Sequence, residues 1–358
     1  MNTKSFDKTS TNICKGIAIL LMYIHHSFYS ADSWKGADVI FSPFTQSQMI
    51  SIAQICKVCV SIFVFLSAYG VYRSSKSQSS DGPTFSPKHY LTTVRRRYCS
   101  LLYSFMFVYI LSQLLSPIIG ISRIDVYGGS RLERIFYTII DGLGLADAFS
   151  TPTYNATWWY MSLAFFLILI LPLFVEVVDR LGYALLPIAI LLPSLLGFST
   201  KAVFFRYLVA IVLGLICAKY NVFEQICEKM YTGKLRACLY FLAALAAIGV
   251  LAIFRHRLGF IYLFDGIMAA FICFLGHSVL RVIPGISQIF AFIGKYSMNM
   301  FMIHTLIRGK SSNFHLLSYA PRYPVFIILL LIADTLLISI AIEWLKNLVS
   351  NIAVKLKK

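Results

Sequence analysis

The sequence predicts an all-α fold, a polytopic transmembrane helix bundle of about ten spans, and three observations carry the prediction. Of the 358 residues, 58% are hydrophobic and 13% charged, more apolar side chain than a water-soluble core encloses. The apolar residues run in long continuous stretches, without the alternation of barrel strands. In hydrocarbon such stretches must satisfy their own backbone hydrogen bonds, and a helix of roughly 20 residues does so. The Lys and Arg residues gather at the ends of these stretches, where they set orientation in a membrane.

That placement also accounts for the net charge of +17 and sets aside a nucleic-acid partner. The eight cysteines lie mostly inside apolar stretches with no recurring spacing. Cys56 and Cys59 form a C-x-x-C within an apparent membrane helix, where small apolar packing explains them better than redox or metal chemistry; no metal is expected. The first apolar stretch has Lys15 at its head, lacks a small-residue cleavage site and ends in His25 and His26, so it reads as a retained helix.

The spans centre near 13–30, 50–72, 98–120, 158–177, 183–199, 203–219, 236–254, 259–279, 288–307 and 324–347. Those at 183–199 and 203–219 are close enough to require a tight hairpin. The stretch 132–147 is too short and acidic to span and suits the membrane interface. Between the second and third spans lie Arg73, Lys76, Lys88, Arg95, Arg96 and Arg97 against Asp81 alone, with a flexible Ser-rich piece at 74–80. With the basic segment 219–236 and the tail Lys355, Lys357 and Lys358, they put this side and both termini in the cytoplasm. Arg255, Arg257, Arg308 and Lys310 fall outside on that count. The spans consume residues 1–358 as one membrane domain without an appended soluble domain.

Charged groups inside membrane helices are costly and call for a reason. Lys15 and His26 are eleven residues apart, which returns to within about 20° of one helical face over a rise of about 16 Å. A snorkelling lysine and a hydrogen-bonded histidine would explain the pair; so would a site. His25 points about 100° away. Ser297 and His304, seven apart, share a face of the ninth span, with Asn299 nearby and Lys295 at the entrance. Asp265, Asp334 and Glu343 suit partners for buried bases. Together they describe a polar bundle interior, either a chemical site or a transport path.

Five segments, in order, resemble the membrane acyltransferase-3 family of bacterial O-acyltransferases. Lys15-Gly-Ile-Ala-Ile-Leu-Leu-Met-Tyr-Ile-His25-His26 is similar to its opening helix, a basic residue and then a histidine, and the spacing selects His26. Ile62 through Ser67-Ala68-Tyr69-Gly70 resembles its apolar run ending in Ser-Gly-aromatic, with Ala68 replacing Gly. Thr157-Trp158-Trp159-Tyr160 is similar to its tryptophan-led fourth helix, and Gly294-Lys295-Tyr296-Ser297 through Phe301 and His304 to its Gly…Ser…aromatic…His helix. Glu343 has a counterpart, without the proline that often follows. The family's Arg-x-x-Arg is broken here: Arg97 takes the second position and Val94 the first, with Arg95 and Arg96 adjacent.

The resemblance implies transfer of an acyl group, usually acetyl, from cytoplasmic acetyl-CoA or another acyl-CoA to a hydroxyl of an envelope glycan or lipid-linked sugar at the bacterial inner membrane. His26 would be general base or transient acyl carrier. Arg95, Arg96 and Arg97 would meet the polyanionic coenzyme, and Lys15 would contact donor phosphate or tune His26. Tyr69, Trp158 and Trp159 suit sugar stacking or an aromatic girdle, with Ser67, Ser297, His304 and Glu343 in support. Asn155-Ala-Thr157 is a glycosylation-type triplet of no expected consequence. A sugar or lipid-linked-intermediate transporter or flippase would show similar inward polar groups, but no half-to-half similarity is evident. An inactive scaffold fits less well, because His26 is intact.

Overall fold

The computed structural model describes residues 5–77, 87–197, 203–258 and 261–355; helices dominate, and no strand occurs among the described residues. The principal helices are α1 (Lys8–Phe28), α2 (Gln46–Ile55), α3 (Cys59–Ser77), α4 (Pro87–Leu114), α5 (Arg131–Gly142), α6 (Trp159–Leu181), α7 (Leu185–Leu195), α8 (Leu208–Lys219), α9 (Val222–Met230), α10 (Lys234–Leu258), α11 (Ile261–Ser278), α12 (Ile286–Lys295), α13 (Ser297–Arg308) and α14 (Pro324–Lys355).

Among the described residues, five helical runs are long and apolar enough to cross a membrane: Gln46–Ser77, Ala156–Pro193, Lys234–Arg255, Ile261–Val282 and Pro324–Ile352. A sixth is added if α8 and α9, bent by 65° at their junction, count as one. Length and apolarity therefore do not confirm about ten spans, for local reasons. In α1, the polar Lys8, Lys15, His25 and His26 dilute an otherwise sufficient length. The stretches 158–177 and 183–199 fall in one run, Ala156–Pro193. The stretch 288–307 divides at Tyr296 into α12 and α13, of 10 and 12 residues. Helices α7 and α8 pack together; residues 198–202 between them, like Ser79 and most of the basic loop at 78–86, lie outside the described residues.

The chain divides into two units. The first comprises Met1–Met22, Ile55–Leu91 and Leu169–Lys295. At its centre α8, apolar on every side, is buried from Leu208 to Ala218 except Leu213, the pattern of a fully enclosed helix. It packs on α3 and α11, and small residues set the approach: a Cβ at Gly214 would lie 2.5 Å from Phe65 O. Gly16 of α1 and Gly294 of α12 likewise face backbone, Phe290 O and Asn12 O, with no room for a Cβ. Close backbone approach at small residues is how helices associate where lipid removes the hydrophobic drive. Asp265 finds its base: Arg255 Nε and Nη2 donate to its carboxylate at 2.5 and 3.2 Å. Most of α10 is exposed, including Leu235, Leu239, Leu242 and Leu245, as a lipid-facing helix would be. Cys56 and Cys59 are buried free thiols where α2 meets α3.

The second unit comprises Tyr23–Gln54, Thr92–Ile168 and Tyr296–Lys358. Helix α13 packs along α14, and Asn299 Nδ2 donates to Glu343 Oε1 at 2.7 Å while Lys346 Nζ reaches both. Helix α5 begins in a capping box between Ser130 and Glu133, which satisfies its first amides without a tertiary partner. Leu132, Ile135, Phe136 and Ile139 are exposed on it, the surface expected of an interfacial helix. Its far end is held by the buried Asp141, whose carboxylate accepts from Tyr127 Oη (2.8 Å), Thr153 Oγ1 (2.9 Å) and Tyr154 N (2.6 Å). Burial pushes the Asp141 carboxyl up from its usual range, against the pull of these donors.

Candidate active site

The geometry that brings predicted residues together lies in the second unit, where α1 ends beside α13. The imidazoles of His26 and His304 stand 5.0 Å apart, centre to centre, at 42°. His26 is half-buried and His304 has no exposed surface. Tyr23, one turn before His26, stacks on His304 at 5.6 Å and donates its hydroxyl to Thr335 Oγ1 at 2.7 Å. His25 is engaged elsewhere: its Nδ1 donates to Ala53 O at 2.8 Å. The two adjacent histidines therefore have different partners, as a turn of about 100° per residue requires.

The tautomer of His304 follows from its neighbours. Phe301 O, 2.7 Å from Nδ1, can only accept, so Nδ1 carries the proton. In the neutral ring Nε2 then accepts from Thr305 Oγ1 at 3.0 Å. Thr305 Oγ1 is also 3.3 Å from Thr157 Oγ1, which donates to Asn155 Oδ1 at 2.8 Å. Asn155 Nδ2 and Trp158 Nε1 both donate to Met302 O, at 3.3 and 3.0 Å. The segment 155–158 is thus stitched to α13 on both sides of His304. Asn155 also caps the short helix Ala156–Trp158 through Thr157 N. Buried and fully engaged, it has no glycosylation-site character.

The other candidates are dispersed. Trp158 is buried, with its indole N–H committed to Met302 O and its ring 5.1 Å from Phe105, so packing rather than a sugar platform describes it. Trp159 is half-buried, edge-on to Tyr160 at 6.0 Å. Ser297 is buried at the start of α13, and Glu343 belongs to the Asn299–Lys346 cluster. On α4, Arg95 and Arg96 are exposed and Arg97 half-buried, while Val94 is buried: the position that departs from the family pattern faces inward.

Three candidates belong to the first unit. Lys15 is half-buried with Lys8 as its neighbouring charge, and it pairs with no acid among the described residues. Ser67 is exposed and donates to Phe63 O at 2.8 Å. Tyr69 is buried, its ring 4.7 Å from Phe6 and 6.2 Å from Phe223.

Sequence reading passed over Tyr23 and Thr305. Tyr23, three residues before His26, carried a spacing signal. Thr305 carried none, because a hydroxyl next to a histidine in sequence says nothing of its bond. Two imidazoles in contact, one with a fixed tautomer, form an arrangement that can take a proton from a hydroxyl and hold it.

Comparison with curated proteins and with solved structures finds no match. An acyltransferase-domain family profile matches residues 9–344, from the first turn of α1 into α14. The span takes in His26, the stitched segment 155–158, His304 and Glu343, and the chain therefore belongs to the acyltransferase-3 family of membrane acyltransferases.

Proposed function

We propose that this membrane acyltransferase moves an acyl group, acetyl in the simplest case, from acyl-CoA to a hydroxyl of a cell-envelope glycan or lipid-linked sugar. The observation that carries the reading is the contact of His26 with His304 inside a chain of this family. His26 is the general base. It takes the acceptor hydroxyl's proton as oxygen attacks the thioester carbonyl, and the coenzyme thiolate leaves and is protonated. His304, neutral and locked by Phe301 O, fixes the orientation of the pair. A transient acyl-His26 is the alternative route through the same residue.

Arg95, Arg96 and Arg97 bind the donor's phosphates as fork-shaped donors. Within the second unit, Trp159, Ser297 and Glu343 support the site. In the same reading the bundle makes about ten crossings of the inner membrane, with both termini and the loop 73–97 in the cytoplasm. The transporter alternative draws on one feature, the 65° break between α8 and α9, since discontinuous helices recur in transporters.

The deciding experiment uses purified protein with acetyl-CoA and an envelope fraction, following free thiol release and O-acetyl content by mass spectrometry. His26→Ala should abolish both signals, with insertion and yield unchanged. Equal activity in His25→Ala and His26→Ala would overturn the assignment; no acetyl transfer by the wild type with any envelope fraction would favour the transporter.

A further inference from the structure

Arg308, in the last turn of α13, is 93% buried (7% exposed). Among the described residues no carboxylate pairs with it. The two acids on the segment after α1, Asp32 and Asp38, pair instead with Lys310 and Arg322. Its Nη1 donates to Tyr319 Oη at 3.3 Å, and its Nε has no hydrogen-bond partner. The C-terminal dipole of α13 supplies only about half a countercharge. A guanidinium always carries its charge and presents five N–H donors in a planar fork. Burying one so poorly compensated is costly, and the usual resolution is an anion.

The surroundings are built for the same chemistry. Tyr319 Oη accepts from Arg308 and lies 3.2 and 2.8 Å from the carbonyls of Ser27 and Ser33. The hydroxyls of Ser27 and Ser33 are themselves buried without partners. Arg308 and the backbones of two serines with unmatched hydroxyls thus meet at one tyrosine. Ser27 follows His26 in the chain, and Arg308 stands one helical turn from His304, on the same face of α13.

We propose that Arg308, with Tyr319 and the hydroxyls of Ser27 and Ser33, binds an oxyanion, a phosphate or carboxylate on the acceptor molecule, and so holds the acceptor beside the His26–His304 pair. The site rests on the acyltransferase reading only for the word acceptor. It predicts an anionic acceptor, a sugar phosphate or an acidic sugar, in preference to a neutral glycan.

The test is binding to the purified full chain in lipid nanodiscs, read as the thermal midpoint at constant ionic strength. The probes are glucose 1-phosphate, glucuronate and, as neutral control, glucose. One of the two anions should raise the wild-type midpoint by roughly 2 °C or more near saturation, and glucose should not. Which anion acts tells phosphate from carboxylate. Arg308→Met should melt at or above the wild type without ligand, because the uncompensated charge is gone, and should lose the anion response. Arg308→Lys should keep a reduced response, since it retains the charge but not the fork. A wild type indifferent to both anions, or an undiminished response in Arg308→Met, would overturn the proposal. So would an Arg308→Met protein that melts well below the wild type while Arg308→Lys does not, since the charge would then be structural. Binding through Arg308 in a protein that transfers no acyl group would sink the enzymatic reading alone.

Discussion

Replacing Asn155 by Ala tests whether the segment before α6 positions His304, and the structure sets the size of the effect. The change deletes three hydrogen bonds: Thr157 N to Oδ1 at 3.0 Å, Thr157 Oγ1 to Oδ1 at 2.8 Å, and Nδ2 to Met302 O at 3.3 Å. The cap contributes about 1 kcal/mol. Met302 O keeps its bond from Trp158, so that loss is a net bond of about 0.5–1.5 kcal/mol. Thr157 is 6% exposed, and its hydroxyl proton must turn to Thr305 or go unmatched, which costs about 1 kcal/mol more. The three losses share partners and do not simply add, so the expected destabilisation is about 2–3 kcal/mol. The assay is SDS-induced unfolding in mixed micelles followed by tryptophan fluorescence, with Asn155→Ser as control. Serine keeps an acceptor for the cap but loses the reach to Met302 O, and about half the deficit should return. A loss below about 0.5 kcal/mol for Asn155→Ala, or no recovery in the serine variant, would refute the reasoning.

His25→Ala removes the bond to Ala53 O and should lower stability by about 1 kcal/mol with transfer largely retained, whereas His26→Ala should abolish transfer; unfolding and turnover measured on both variants check this. Neutralising Arg95, Arg96 and Arg97 together should raise the KM for acyl-CoA about ten-fold or more with kcat less affected, while His26 variants lose kcat; unchanged donor binding in the triple mutant would move the donor site elsewhere. A cysteine at position 79, with the native cysteines removed, should react with an impermeant thiol reagent in inverted vesicles and not in intact cells. The Asp141 carboxyl, raised in the folded protein, contributes stability that is fully present below its unfolded pKa of about 3.9 and is lost as pH rises through its folded value. The stability advantage of wild type over Asp141→Asn should therefore shrink between pH 4 and 8, and an advantage that grows with pH would contradict the burial argument.

Much of this molecule was legible in its sequence, because the relevant physics is local. Long apolar stretches require helices in lipid, so the all-α class followed from composition and continuity alone. The eleven-residue spacing of Lys15 and His26 placed both on one face of α1, and adjacency placed His25 on another. The order of the five segments pointed to the family that the match over residues 9–344 shows. The short acidic stretch near 132–147 was separated from the spans, and α5 is there with an exposed apolar face. The helix breaks were not legible. Mean hydropathy is blind to a turn at Tyr296 or a 65° bend after Lys219, since both leave the side chains apolar while redirecting the backbone.

Partners were decided by the tertiary structure. Asp265 was expected to meet a base, but only folding chose Arg255. Trp158 could have been a sugar platform, and the bond to Met302 O makes it a fastening for α13. The hydroxyls of Thr157 and Thr305 come within 3.3 Å from positions 148 residues apart, and Tyr319 joins Arg308 to the carbonyls of Ser27 and Ser33 from the other end of the chain. Such pairings depend on which surfaces meet. A sequence specifies them only through the whole fold, because no local spacing encodes the distance between residues on different helices.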